Sequence, residues 1–115
     1  MIRGDVFWAD IVPRSGSEQM GRRPVVIVSR DSFNAIESWH SVIVVPLTTS
    51  SSSTHRGPTV VRIPKVLSGM PRDSTALCHQ VTTLDRTKLI KRVGTLNEAL
   101  ITAIDEGLRA ALALD

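Results

Sequence analysis

A chain of 115 residues with 42% hydrophobic content has room for one modest core and none for a second, so residues 1–115 read as a single domain. No uninterrupted apolar run is long enough to cross a bilayer, and Met1-Ile2-Arg3-Gly4-Asp5 lacks the charged-then-apolar layout of an export signal, which makes the cytoplasm the default compartment and excludes a membrane role. The net charge is +3 with a pI near 9.8, one cysteine rules out an internal disulfide, and two Phe and two Trp are too few for a platform of stacked bases.

In chain order the pattern gives mostly strands and then a helix. Val6 to Val12 reads as a strand. A polar, glycine-punctuated loop, residues 13–23, ends on Arg22 and Arg23 and is halted by Pro24, after which the apolar run Val25 to Ser29 reads as a strand buried on both sides. Asp31-Ser32-Phe33-Asn34 has the chemistry of a short helical turn, and Val42 to Leu47 is a third strand. Thr48 to Pro58, with four consecutive serines, reads as a flexible loop beside a binding groove or as a merely tolerated linker. Thr59 to Ile63 and Ser74 to Val81 are further strands. Leu96, Leu100, Ile101, Ile104, Leu108 and Leu112 recur at helical spacing, with Thr95 or Asn97 as the cap. The fold class is therefore mainly β with short helices, a small barrel closed by a C-terminal helix.

Charge is uneven along the chain. Residues 1–40 carry five basic and five acidic side chains, residues 41–92 eight and two, and residues 93–115 one and four, giving 0, +6 and −3. A cationic middle favours a polyanion through counterion release. Arginine's planar fork matches phosphate oxygens two at a time, so Arg22 and Arg23 at the mouth of a buried strand point to an anionic ligand or, more blandly, to a solvated surface pair. Cys78 fits a buried thiol in a strand, with a catalytic cysteine as the alternative. His40, His55 and His79 are far apart and unaccompanied, so neither a metal nor another cofactor is expected.

Three blocks in register carry a family resemblance. Arg3-Gly4-Asp5-Val6-Phe7-Trp8-Ala9-Asp10 with Gly16 to Pro24, then Val42 to Thr49, then Arg72 to Val81 followed by Thr83-Leu84-Asp85, together resemble the MazF/PemK family of toxin endoribonucleases over nearly the whole chain. The resemblance implies an SH3-like barrel of the MazF/CcdB type that works as a homodimer. It implies cleavage of single-stranded mRNA without a metal, by 2′-hydroxyl attack, leaving a 2′,3′-cyclic phosphate and a 5′-hydroxyl. It also implies a cognate antitoxin, commonly bearing an acidic tail. The alternatives are a CcdB-like toxin that binds gyrase without catalysis, and a basic barrel that binds nucleic acid without cutting it.

Site residues follow from the motif positions. Arg23 matches the family's catalytic arginine, and a guanidinium suits the charge of a phosphorane-like transition state. Thr48 matches the catalytic threonine, able to orient a phosphate oxygen. Glu18 matches a sensitive acid that either orients Arg23 or acts as base. His79 stands where relatives carry Asp or Glu before the glutamine; imidazole is a competent base near neutrality, and a satisfied structural histidine is the alternative. Gln19, Arg22, Thr49, Arg56, Arg72 and Gln80 complete the expected RNA contacts. Leu77 and Thr82 depart from the pattern, standing where many relatives place arginines, which thins the phosphate contacts.

Overall fold

The computed structural model describes residues 1–11, 21–49 and 56–114. Its strands are β1 (Asp5–Ile11), β2 (Gly21–Ile27), β3 (Ser41–Thr48), β4 (Val60–Ile63), β5 (Ser74–Leu77), β6 (Thr82–Asp85) and β7 (Leu89–Thr95). Its α-helices are α1 (Asp31–Asn34), α2 (Lys65–Ser68) and α3 (Glu98–Leu112), with 3-10 turns at Cys78–Gln80 and Arg86–Lys88. Every strand pairing is antiparallel. No described helix is long and apolar enough to cross a membrane.

The expected mainly-β architecture with a terminal helix is present, but the sheet does not close into a barrel. Strand order is β4-β5-β3-β2-β1-β7 with β6 also on β3, so β4 and β7 remain unjoined edges. The reason lies in β3, which divides its free flank between two partners. Ser41 to Val44 pair with β6, whereas Leu47 and Thr48 pair with β5. Between those partners the chain leaves strand geometry at Cys78, whose N–H donates to Thr59 O at 2.9 Å, and the N–H of Val81 donates to Cys78 O at 3.2 Å. The expected single strand Ser74 to Val81 therefore ends at Leu77. α3 packs against β4 and the Cys78–Gln80 turn.

Alternation sorts the apolar side chains into two clusters, one on each face of the sheet. Val6, Val26, Val45, Leu47, Ala76 and Ile104 belong to the cluster beneath α3. Ala9, Val25, Ile27, Val42 and Val44 form the other, with Phe7, Ile11, Leu84 and Leu89 against it. The helix has its expected start, since the Asn97 side chain accepts from Leu100 N–H at 2.9 Å. Ile104 is buried, Leu100, Ile101 and Leu108 are partly so, and Leu112, expected on the apolar face, is exposed at the helix end. Gly107 is what lets α3 approach so closely: a Cβ there would fall 2.6 Å from Cys78 Sγ. Gly4, at φ +96°, is similarly confined, with Ile101 Cδ1 2.6 Å from where its Cβ would stand.

Three elements, α2, β6 and β7, escape the sequence reading. α2 is a single turn capped by the Asp73 carboxylate, which accepts from Lys65 N–H at 2.9 Å. β7 is an edge strand carrying Lys91 and Arg92, charges that suit an unpaired flank and disguise the strand.

Candidate active site

Arg23 lies within β2 and not in the loop before it, because β2 begins at Gly21 and pairs with β1 from Ile11↔Gly21 onward. Pro24 is tolerated there. The β3 ladder extends only to Val25↔Pro46, so β2 is paired on one side alone at Pro24 and a missing N–H need not cost a bond. Strand alternation then separates the two arginines. Arg23 sits opposite Ala9, on the face of the second cluster, whereas Arg22 sits opposite Asp10 on the other face, with Arg22 Nε 4.0 Å from Asp10 Oδ1. They do not form one double fork. Such an exposed pair contributes about 0–1 kcal/mol, so Arg22 remains available to a competing anion at little cost.

Thr48 ends β3. The β2–β3 ladder stops at Val25↔Pro46; Thr48 lies two residues past Pro46 and Arg23 two residues before Val25, so strand alternation puts both side chains on the face of that pair. Thr48 is buried, at 2% exposure, while Arg23 is partly exposed. Arg23 Nε is nonetheless buried and makes no hydrogen bond. An unsatisfied buried donor costs about 1–3 kcal/mol, more when charged, so this guanidinium is held in a place that only an added acceptor would relieve. A phosphate oxygen is such an acceptor.

Two further residues share the row, and the sequence reading does not single them out. Thr75 of β5 lies directly opposite Thr48, and Arg62 of β4 directly opposite Thr75. No linear signal reports them, since their position depends on how β3, β5 and β4 pair.

The remaining candidates are scattered. Glu18, Gln19 and the serines at 50–53 lie outside the described residues. Thr49 follows Thr48 directly and is half-buried; Arg56 and Arg72 are exposed on connections, Arg72 three residues before Thr75. His79 and Gln80 are exposed in the 3-10 turn after β5. His79 Nδ1 is 3.4 Å from Thr59 Oγ1, at the distal start of β4. Thr59 precedes Arg62 by three residues, on the order of 10 Å along a strand, so His79 stands away from the Arg23–Thr48 row.

Cys78 is fully buried, its Sγ 3.8 Å from Ile104 O, and burial pushes its pKa up to about 11. The thiol is therefore protonated at neutral pH and serves packing. Among the described residues, no group of three or more His, Cys, Asp or Glu is placed to hold a metal ion. Phe33 and Trp39 stack on each other with centroids 4.5 Å apart, on the connection leaving the opposite end of β2 from Arg23.

A sequence model of the PemK-like, MazF-like toxins of type II toxin–antitoxin systems matches residues 2–112. The chain belongs to this family. Endoribonuclease MazF2 of Mycobacterium bovis is 35% identical over 112 residues, covering 97% of this chain and 96% of that protein. Endoribonuclease EndoA of Bacillus subtilis is also 35% identical over 112 residues, covering 97% and 94%. Among solved structures, a mycobacterial endoribonuclease in complex with its cognate antitoxin is 26% identical with a TM-score of 0.78, covering 100% of this chain and 97% of that one. MazF of Deinococcus radiodurans shares the fold at a TM-score of 0.79 and 21% identity, covering 98% and 96%. The MazF-like fold thus carries Arg23 and Thr48 on neighbouring strands of one sheet here.

Proposed function

We propose that this protein is the toxin of a type II toxin–antitoxin pair and cuts single-stranded mRNA at selected sequences, without a metal ion. The observation that carries the reading is Arg23: a guanidinium on the same sheet face as Thr48, with a buried Nε that lacks an acceptor, in a chain whose family is that of MazF-like toxins. The relatives named as endoribonucleases, matched over nearly their whole length, support the same activity.

The chemistry needs no nucleophile from the protein. The ribose 2′-hydroxyl attacks the adjacent phosphorus and the 5′-oxygen leaves, giving a 2′,3′-cyclic phosphate and a 5′-hydroxyl. Arg23 stabilises charge on the equatorial oxygens as they gain it, and Thr48 donates to one of them and fixes its orientation. Glu18 and His79 are the sequence candidates for taking the 2′-hydroxyl proton, and the distance of His79 from the row favours Glu18. Thr49, Arg56, Arg72, Gln19 and Gln80 hold flanking nucleotides, with Arg22 reaching them from the far side of β2. Incubating the purified protein with labelled RNA in excess chelator tests the whole reading: short products bearing cyclic phosphates are expected. Intact RNA under all conditions would leave the gyrase-binding or purely nucleic-acid-binding alternatives.

A pH profile separates the two roles of His79. If its imidazole is the base, cleavage rises with pH as the ring gives up its proton, and His79→Asn lowers the rate and flattens that limb. If its work is the contact to Thr59, His79→Asn lowers the urea midpoint and leaves the profile unchanged.

Control follows from charge. A solved relative is held by its cognate antitoxin, and a cationic RNA path suits an acidic antitoxin tail that folds as it binds. This toxin is expected to act as a homodimer whose antitoxin tail overlaps the RNA path, so the tail raises the apparent Kd for RNA in proportion to its concentration. Arg56→Ala should weaken both ligands. An antitoxin that stops cleavage while leaving RNA affinity untouched would place its control elsewhere.

A further inference from the structure

Arg62 is the residue that the fold brings to the site and that neither composition nor motif assigns. β4 has only four residues, and Val61 and Ile63 turn toward the cluster beneath α3. Arg62 therefore faces the other way, and it is exposed. A charge on a short edge strand is usually explained as a guard against edge-to-edge pairing. Here the register adds a second reason.

Directly opposed residues of an antiparallel ladder lie on one face. Arg62↔Thr75 and Thr75↔Thr48 are such pairs, and Leu47↔Ala76 beside them points into the core on the opposite face. Thr48, Thr75 and Arg62 therefore make a single row across β3, β5 and β4, and Arg23 shares their face from β2, beyond the last β2–β3 ladder pair. Two buried threonines, at 2% exposure each, thus lie between the strands that carry the two guanidinium groups. Two interstrand spacings separate Thr48 from Arg62, about 10 Å. An extended RNA strand whose reacting phosphate sits over Arg23 and Thr48 would run across Thr75 and bring a neighbouring phosphate to Arg62.

We propose that Arg62 is a phosphate-binding residue of the RNA path, gripping the backbone of a nucleotide that flanks the bond being cut. This rests on the endoribonuclease reading above and deepens it by giving the substrate a direction across the sheet, from β2 toward the β4 edge. The role is binding and alignment, not stabilisation of the reacting phosphate. Loss of Arg62 should therefore raise KM far more than it lowers kcat.

The test uses the full chain and 2′-O-methyl oligonucleotides, which carry the cut sequence mapped with the wild type and cannot react. Arg62→Gln should weaken binding of a hexanucleotide about tenfold at moderate salt and lower the slope of log K against log salt by about one. Binding of the dinucleotide that spans only the cut bond should be unchanged, and Arg62→Lys should keep most of the longer ligand's affinity. A urea midpoint equal to wild type shows that the exposed substitution leaves the fold intact. Unchanged hexanucleotide affinity and salt slope in Arg62→Gln would overturn the proposal, as would an equal loss on the dinucleotide, which would put Arg62 at the reacting phosphate. If wild-type protein cuts RNA and Arg62→Gln behaves as wild type, this inference alone falls. If the wild type cuts no RNA, the endoribonuclease reading falls and takes this one with it.

Discussion

Arg23→Ala is expected to lower the rate of RNA cleavage by about 10²–10³, the scale lost when a donor to transition-state charge is removed. RNA affinity should fall much less, because Arg22, Arg56, Arg62 and Arg72 continue to neutralise phosphates. The stability of this variant is equally informative. A structural arginine held in a salt bridge would leave a buried partner uncompensated when removed, at a cost of about 3–5 kcal/mol. No ion pair holds Arg23 among those of the described residues, and its Nε is already an unsatisfied buried donor. Truncation removes that penalty of about 1–3 kcal/mol and loses the packing of the aliphatic stem, two terms of similar size and opposite sign. The melting temperature should therefore stay within a few degrees of wild type while cleavage collapses. Thr48→Val, nearly isosteric, should reduce cleavage in the same direction; it leaves Arg23 in place and so tests the hydroxyl alone. A folded Arg23→Ala protein that cleaves at near the wild-type rate would remove Arg23 from the mechanism.

That combination of lost activity and retained fold is what separates a functional group from a structural one, and the sequence alone could not supply it. The sequence places Arg23 just before a β-branched run and nothing more. Its role in stabilising charge comes from the family motif, and its buried, unsatisfied Nε shows only in the folded chain. Thr48 is less legible still, because a threonine at the end of Val42 to Leu47 is an ordinary strand residue. Thr75 and Arg62 are invisible in one dimension. Their alignment with Thr48 depends on which half of β3 pairs with β5, and that depends on the turn at Cys78, where strand propensity continues but backbone pairing does not.

Elements whose stability comes from one strong periodic signal were readable. Val42 to Leu47 is apolar without interruption, and Asn97 caps a helix whose apolar positions repeat at 3–4 residues. Elements that owe their form to neighbours were not. β7 has charges at its centre and pairs with β1 alone, so its hydrophobic alternation is broken by the demands of an edge. β2 begins four residues earlier than its apolar run because β1 offers Asp10 and Ile11 as partners to Arg22 and Gly21, a tertiary contribution that overrides the loop-like composition of that segment. The barrel expected from short strands and a helix does not close: β4 and β7 stay unjoined at the two ends of the strand order, and α3 packs on β4.

The division into two faces predicts that stability and chemistry can be perturbed separately. Ile104 is the most buried large side chain of α3, at 1% exposure, and belongs to the cluster shared with Val45, Leu47, Ile63 and Ala76. Ile104→Ala should cost about 2–5 kcal/mol, the upper part of that range if the site cannot collapse. Collapse is hindered here: Gly107 already brings the helix against Cys78, with no Cβ to spare, so α3 has little room to settle further into the sheet. For a domain of this size such a loss shifts the melting temperature by roughly 10–20 °C and takes a large share of a total stability of about 5–15 kcal/mol. Arg23 and Thr48 project from the opposite face, toward Ala9 and Val25, which Ile104 does not touch. Below its melting transition the variant should therefore cleave RNA at close to the wild-type rate. Urea titration reads the first effect as a lower midpoint at constant slope, and initial rates at a temperature well below the transition read the second. If Ile104→Ala lost less than about 1 kcal/mol, α3 would not be docked through this residue. If cleavage fell in proportion to the lost stability while the protein remained folded, the helix and the Arg23–Thr48 row would be coupled through the sheet, and the independence of its two faces would be wrong.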